Sequence, residues 1–204
     1  MDLLTRARIR LRAVALASIG LVSMALAGAV WSQISLPAGG TTDESLEYRV
    51  KAAYLLNFTR YVEWPAPTAP TPAPADNLLS ICVLGTDPFG KILDATVAGR
   101  TAHGRPLRVR RLQGAAEATG CEVVFVSRET WRRSPESLKA LKRAGTLTVG
   151  ESEQFARRGG IIGFVIVDET VRFVVNDEAR DSAGLRISSR MLSLAAAIYG
   201  RDGP

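Results

Sequence analysis

Residues 49–65 have the sequence RVKAAYLLNFTRYVEWP, and this stretch decides how the rest of the chain must fold. With about 100° of rotation per residue, its apolar side chains lie along one broad stripe of a helix. The stripe is formed by Val50, Tyr54, Leu55, Phe58, Tyr61 and Val62. Such a helix must bury its apolar face, and the apolar runs that follow in the sequence predict a sheet that covers it.

The polar and boundary residues of this helix are candidates for binding. Asn57 falls inside the apolar stripe, whereas Arg60 and Glu63 point away from it. The helix is expected to end at Trp64, because Pro65 disfavours the helical conformation in the residue before it. Two interpretations stay open here: the aromatic residues form plain core, or Trp64 and Asn57 lie at the mouth of a binding groove.

Length and charge limit the classes of protein to consider. A chain of 204 residues with 47% hydrophobic residues is long enough for one domain with its own core. Asp2 and four arginines before residue 13 supply +3 of the net charge of +6, so the remainder carries only +3. This excess does not favour nucleic acid as a partner. One arginine cluster is interpreted as the solvated face of an edge strand rather than a phosphate-binding patch: Arg105, Arg108, Arg110 and Arg111.

The N-terminus has the pattern of an export signal. Four arginines precede an uncharged run at residues 13–30, and small residues suited to cleavage occur near its end. We predict a signal peptide at residues 1–29, a flexible lead-in at 30–46 and one domain at 47–200. A retained inner-membrane anchor is the alternative, because the run is close to the length of a spanning helix. Both interpretations place the domain in the periplasm.

Apolar runs alternate with helical patterns through the middle of the chain, which predicts parallel β-α-β units. The expected strands are residues 78–85, 105–112, 121–127 and 146–149, the second being edge-like. The expected helices are residues 86–97, 131–144 and 150–158. The Pro- and Ala-rich residues 65–76 are expected to form an exposed loop.

The pattern changes near the C-terminus. Residues 161–167 and 171–175 are apolar runs joined by a tight turn, which predicts an antiparallel hairpin. A final helix is expected at residues 188–199. The predicted fold is therefore a single three-layer α/β domain, with a mixed sheet of about six strands flanked by helices.

No motif in the sequence favours an enzyme or a cofactor. There is no G-x-S-x-G, P-loop or G-x-G-x-x-G pattern. The sole histidine, His103, lacks ligand-spaced partners, so it is interpreted as a solvated loop residue rather than a metal ligand. Gly159-Gly160 precedes a strand and is interpreted as a tight turn. Glu151 and Glu153 lie at a helix start, where carboxylates favour the helix dipole.

Cys82 and Cys121 are the two cysteines of the chain. Each falls in a run expected to be a buried strand, and those two strands are commonly neighbours in a doubly wound sheet. An exported protein meets oxidising conditions, so we predict a disulfide between them. Two buried free thiols are the alternative.

A series of short segments, in their order and spacing, resembles the YfiR family of periplasmic proteins. The segments are VKAAYLLNF at 50–58, Tyr61, Trp64 and Pro65, ICVLG at 81–85, DPF at 87–89, GRPL at 104–107, CEVVFV at 121–126, LTV at 147–149, Phe155, GGII at 159–162, VRF at 171–173, Asn176, AGL at 183–185, ISS at 187–189 and ML at 191–192. The resemblance covers roughly residues 47–199, nearly the whole chain after the signal.

The resemblance implies an α/β fold and a regulatory role without catalysis. Members of the family repress a membrane-bound diguanylate cyclase by binding its periplasmic part, and an outer-membrane lipoprotein relieves the repression. This repression and its relief set the amount of cyclic-di-GMP that the cyclase makes, and hence biofilm formation. The resemblance also implies oxidised, redox-relevant cysteines. This chain departs from the best-known members in having only two cysteines and a longer loop at residues 65–76.

Three functions compete at this stage. The first is a periplasmic regulator that binds the sensor domain of an inner-membrane signalling protein, with a homodimer left open. The second is a periplasmic small-ligand binding module for another envelope sensor, using a groove near Trp64. The third, a thiol redox enzyme, is disfavoured because no C-x-x-C exists. The residues expected to flank one partner- or ligand-binding face are Asn57, Arg60, Glu63, Trp64, Asn176, Arg180 and Arg186.

Overall fold

The computed structural model describes residues 42–65 and 77–200. Its helices are α1 (Thr42–Tyr61), α2 (Lys91–Val97), α3 (Arg128–Arg133), α4 (Ser137–Leu141), α5 (Glu153–Arg157), α6 (Asp177–Ser182) and α7 (Ser189–Leu192). Its strands are β1 (Val62–Glu63), β2 (Leu79–Leu84), β3 (Thr101–Ala102), β4 (Arg105–Leu112), β5 (Val123–Val126), β6 (Leu147–Gly150), β7 (Ile162–Val167), β8 (Thr170–Asn176), β9 (Arg186–Ile187) and β10 (Ala197–Tyr199).

Several expectations concern segments outside these ranges. The predicted signal peptide, most of the lead-in and residues 66–76 of the Pro- and Ala-rich loop lie outside the described residues. The lead-in overlaps the structure only at its end, where α1 begins at Thr42. No helix within the two described ranges is long and apolar enough to cross a membrane.

Eight strands form one mixed sheet in the order β10-β8-β7-β6-β5-β2-β4-β3. Neighbouring strands are parallel except for the pairs β7–β8 and β3–β4. The predicted α/β class is confirmed, including the antiparallel hairpin, although the sheet has eight strands rather than about six. Strands β1 and β9 form a separate two-stranded sheet.

The central strands are mostly apolar because both of their faces are covered, and Ser80 of β2 and Thr148 of β6 are buried polar exceptions. Ile81 and Val83 of β2 belong to the core that includes α1, whereas Cys82 and Leu84 belong to the core that includes α3 and α4. Successive side chains of a strand point to opposite faces, so a strand buried on both sides has no polar alternation. The sheet is thus the middle of three layers.

The first helix ends earlier than the sequence indicated. Leu55, Phe58 and Val62 are buried as expected, but the helix stops at Tyr61 rather than at Trp64. Val62 and Glu63 form β1 and pair with β9. The backbone is therefore already extended before Trp64, the residue whose helical conformation Pro65 disfavours. Tyr61, expected on the apolar stripe, is 36% exposed.

The single helix expected at residues 131–144 is wrong. Two short helices, α3 and α4, replace it, with Pro135 between them. Proline disfavours the helical conformation in the residue before it, and Ser134 accordingly has φ −141° and ψ 72°. Trp131 and Leu138 still reach the same core because each helix presents an apolar residue to the sheet.

The final helix expected at residues 188–199 is also wrong. It is limited to the four residues of α7, and β10 follows as a strand parallel to β8. The backbone amide of Ala196 donates a hydrogen bond to the carbonyl of Phe173 at 2.7 Å. Pairing with the open edge of β8 satisfies backbone groups that would otherwise face water, and this outweighs the local helical periodicity.

The arginines of β4 make specific contacts, so the expectation of a merely solvated face is wrong. Arg105 pairs with Glu122, and Arg111 donates hydrogen bonds to Asp87 at 2.9 Å and to Asp94 at 2.5 Å. Strand β4 is second from the edge of the sheet, next to β3. Because β3 pairs only with the first two residues of β4, the rest of β4 forms the edge. The arginines therefore fasten this margin of the sheet to neighbouring loops and to α2.

Candidate functional site

The two regions expected to form one binding face meet in the β1–β9 sheet. Glu63 lies directly opposite Arg186, and Val62 lies opposite Ile187. Val62 and Ile187 are buried, and because side chains alternate along a strand, Glu63 and Arg186 both point to solvent. Opposite charges thus stand side by side on an exposed surface.

Arg60 and Tyr61 immediately precede this pair in the chain. Both are exposed, and the side chain of Arg60 has no hydrogen bond or ion pair within the described part of the chain. We call the surface formed by Arg60, Tyr61, Glu63 and Arg186 the docking face. The helical wheel placed Tyr61 on the apolar stripe, but Tyr61 is the last residue of α1 and its side chain is exposed.

Trp64 directly follows Glu63 of the docking face in the chain, and Asn57 lies about one helical turn before Arg60. Trp64 is half-buried, donates a hydrogen bond from Nε1 to the carbonyl of Glu122 at 3.4 Å, and packs edge-on against His103 at 5.8 Å. His103 is exposed, as expected, but its Nε2 also lies 3.0 Å from the carbonyl oxygen of Val62. Trp64 therefore fixes the exit of α1, while Asn57 is half-buried.

Asn176 and Arg180 serve the structure of α6. The Asn176 carboxamide accepts from the amide of Ala179 at 2.9 Å and donates to the carbonyl of Ala156 at 2.7 Å. Arg180 donates to Asp177 at 2.7 Å, and this hydrogen bond raises the pKa of its guanidinium. Because the side chains of Asn176 and Arg180 are hydrogen-bonded within the domain, Arg186 is the more accessible cation of this segment.

A buried ion pair is anchored at the middle of α1. Lys51 is 1% exposed and its Nζ lies 2.6 Å from Oε1 of Glu151, which is 6% exposed. Tyr48 donates from its hydroxyl to the same carboxylate at 3.0 Å, and the backbone amide of Arg128 donates to its other oxygen at 2.8 Å. Glu47 also pairs with Lys51. Burial, followed by the Glu151 charge, raises the pKa of Tyr48.

Sequence reasoning missed this pair. It placed Glu151 with Glu153 at a helix start, although Glu151 precedes α5 and turns inward. The available signal was Lys51 itself, a lysine between apolar residues of α1, but nothing in the sequence names a partner so far along the chain. A buried cation requires a compensating charge.

A cleft of about 500 Å³ opens beside this pair. Its walls come from segments that follow β2 and β5, together with the start of α1 and the residue after β6. The lining residues are Tyr48, Thr86, Pro88, Ser127, Arg128, Glu129, Arg132, Arg133 and Glu151. We call it the carboxyl-edge cleft, because it lies at the carboxyl ends of those strands. Trp64 lies at the opposite end of α1.

Cys82 and Cys121 form a disulfide with a Cα–Cα distance of 6.0 Å. It joins β2 to the residues just before β5, so Cys121 precedes the strand in which it was expected. Both cysteines are buried, at 0% and 4% exposure. Burial disfavours thiol exchange with a substrate.

The structure also bears on the tight turn at Gly159-Gly160 and on metal binding. A Cβ on Gly160 would lie 2.1 Å from the Phe155 ring, which explains the glycine at this tight turn. Within residues 42–65 and 77–200, no group of three His, Cys, Asp or Glu side chains is arranged to hold a metal ion.

Comparison with known proteins identifies one family. The model of the YfiR/HmsC-like family matches residues 48–196. No curated protein was found to match the chain significantly.

Two solved structures are similar to parts of the chain. One is a conserved domain protein from Vibrio cholerae O1 biovar El Tor, 17% identical over 61% of this chain and 56% of that one, with a TM-score of 0.46. The other is an ABC domain in complex with L-Trp from Streptococcus pneumonia, 12% identical over 72% and 60% of the two chains, with a TM-score of 0.47. The chain thus spans less than two thirds of the length of either structure.

Proposed function

The chain belongs to the YfiR/HmsC-like family, and from that membership we propose that it is a periplasmic regulator of an inner-membrane diguanylate cyclase. It binds the periplasmic sensor domain of the cyclase, lowers cyclic-di-GMP and thereby limits biofilm formation. An outer-membrane lipoprotein relieves the repression. The protein acts by binding and not by catalysis.

The observation that supports this proposal best is the pairing of Glu63 with Arg186. It brings the end of α1 and the segment after α6 onto one exposed surface, although they are far apart in the sequence. A regulator without a catalytic site needs such a surface. Arginine and tyrosine are enriched in protein interfaces, and the docking face contains Arg60, Tyr61 and Arg186.

The docking face is also firmly supported from beneath. Phe58 of α1 packs against Phe164 and Phe173 of the β7–β8 hairpin, with ring centroids 6.0 Å and 5.3 Å apart. Val62 and Ile187 are buried below the Glu63–Arg186 pair. A surface held by a packed core loses little conformational freedom when it binds a partner, which favours affinity.

Site-specific crosslinking tests the proposal. A photoreactive residue replaces Arg60, Arg186 or, as a control, the exposed Lys139 on α4. Illumination of intact cells should crosslink the first two variants, but not the Lys139 variant, to a membrane protein with a diguanylate cyclase domain. Crosslinking to that protein from none of the three positions, or from Lys139 alone, would contradict the proposed face.

The homodimer that the sequence leaves open is a separate question. Size-exclusion chromatography with light scattering on the purified protein measures the oligomeric state directly.

A further inference from the structure

We propose that the carboxyl-edge cleft, together with the hollow that adjoins it, binds a small organic anion bearing carboxylate or phosphate groups. Arg128 and Arg132, which line both hollows, and Arg158, which lines the second, hold the anion. This site is separate from the docking face and does not depend on the proposed regulation of a cyclase. Topology, shape and charge each support it.

The sheet topology places a crevice at this position. After β2 the chain forms β4 on one side of β2, and then returns to form β5 on the other side. The connections that leave the carboxyl ends of β2 and β5 therefore diverge, and a crevice opens between them. In open α/β sheets, ligands bind at such a switch point.

The crevice has the dimensions of a ligand site. Its volume of about 500 Å³ lies within the range of known small-molecule sites, roughly 300–1,000 Å³. A second hollow of about 440 Å³ shares Arg128, Arg132 and Glu151 with it and adds Trp131 and Arg158. The shared residues make the two hollows neighbours along one basic surface.

Its acidic groups are already occupied within the fold. Glu151 accepts hydrogen bonds from Lys51, Tyr48 and the Arg128 amide. Glu129 pairs with Arg133 and accepts a hydrogen bond from Thr86 at 2.8 Å. The negative charges of the cleft are therefore compensated without any ligand.

Its remaining arginines are not compensated. The side chains of Arg128, Arg132 and Arg158 are exposed and make no hydrogen bond or ion pair with any other described residue. Three uncompensated guanidinium groups around one hollow attract an anion. Arginine binds carboxylate and phosphate in a bidentate manner, which favours these two groups over other anions.

The wall of the cleft is held in place. Gly85, with φ +82°, brings the segment after β2 against α3, and a Cβ there would lie 1.8 Å from Oγ1 of Thr130. Thr130 in turn donates its backbone amide to the side chain of Ser127, which lines the cleft. The site thus has one rigid wall, which lowers the cost of ordering it on binding.

Isothermal titration calorimetry on the purified protein tests the proposal, with citrate and inorganic phosphate as probes and sodium chloride of equal ionic strength as the blank. We expect saturable binding of at least one probe, weakened by added salt. Arg128→Gln with Arg132→Gln should lower the affinity at least about tenfold, since it removes two cationic groups that donate charge-assisted hydrogen bonds.

The matched control is Arg100→Gln with Arg190→Gln, two exposed arginines away from the cleft. It removes the same charge and should leave the affinity unchanged, and circular dichroism confirms the fold of all variants. Stronger binding of citrate assigns the site to carboxylates, and stronger binding of phosphate assigns it to phosphoryl groups. Absence of saturable binding by both probes, or equal loss in the control, overturns the proposal.

Discussion

Glu63 and Arg186 stand opposite each other in the β1–β9 sheet, with the buried pair Val62 and Ile187 beside them. This contact joins the first helix of the domain to its last strands. Four of the residues expected to bind a partner lie at this junction or next to it, namely Arg60, Glu63, Trp64 and Arg186.

The disulfide should contribute strongly to stability. Cys82 and Cys121 are separated by 39 positions, and closing a loop of that length stabilises the folded state by about 4 kcal/mol in the chain-entropy model. Cys82→Ala with Cys121→Ala should therefore lower the free energy of unfolding in guanidinium by about 3–4 kcal/mol. A loss below about 1 kcal/mol, or free thiols alkylated in the native protein, would contradict this role.

The Lys51–Glu151 pair should be strongly non-additive. Lys51→Met leaves a buried carboxylate without its cation, which costs about 3–5 kcal/mol of folding free energy. Adding Glu151→Gln removes the uncompensated charge, so the double variant should be more stable than Lys51→Met alone. Denaturant unfolding of the two single variants and the double variant measures the coupling, and simple additivity would contradict the buried pair.

The alkaline limit of stability should depend on Tyr48. Its pKa in the folded state is raised above the ordinary value of 10.0, by burial and by the Glu151 charge. The neutral hydroxyl thus contributes stability that is fully present below pH 10.0 and is lost as the pH rises towards the folded pKa. Tyr48→Phe should flatten this decline in thermal midpoint against pH, whereas an unchanged slope would exclude Tyr48 as its source.

The strands of the sheet centre could be predicted from sequence because their environment is uniform. Both faces of β2 and β5 are buried, so continuous apolar runs such as residues 81–84 permit little else. The disulfide followed from the same argument, since those two strands are neighbours.

Features that depend on distant partners could not be predicted. The final strand β10 exists because β8 offers an open edge, and residues 195–199 have no local signal strong enough to show this. Lys51 is buried because Glu151 meets it across the fold. Pro135, by contrast, was a local signal, and it predicts the break between α3 and α4 once the residue before it is considered.

Among the candidate binding residues, too, some could be predicted from the sequence and others could not. Arg60, Glu63 and Arg186 could be chosen because they are charged residues next to apolar segments, and the structure shows them exposed. Asn176 and Arg180 have the same appearance in sequence, but Asn176 is hydrogen-bonded to backbone groups of α5 and α6, and Arg180 to Asp177 of α6. Side-chain hydrogen bonds of this kind are set by local geometry and cannot be read from residue type.

The docking face should be essential for regulation, and charge reversal tests this without disturbing the core. Arg60→Glu with Arg186→Glu replaces two exposed cations with anions, and neither arginine has a described ion pair to lose. The matched control is Lys91→Glu with Lys139→Glu, which makes the same charge change at exposed positions on α2 and α4. Immunoblotting should show equal amounts of all three proteins in the periplasm.

Intracellular cyclic-di-GMP, measured by mass spectrometry in strains carrying these variants, reports whether the docking face represses a cyclase. Arg60→Glu with Arg186→Glu should raise cyclic-di-GMP to the level of a strain lacking the gene, while the Lys91 and Lys139 control keeps the wild-type level. Equal cyclic-di-GMP in the wild type and the gene deletion would contradict regulation of a cyclase, and a wild-type level in the docking-face variant would contradict the face assigned to it.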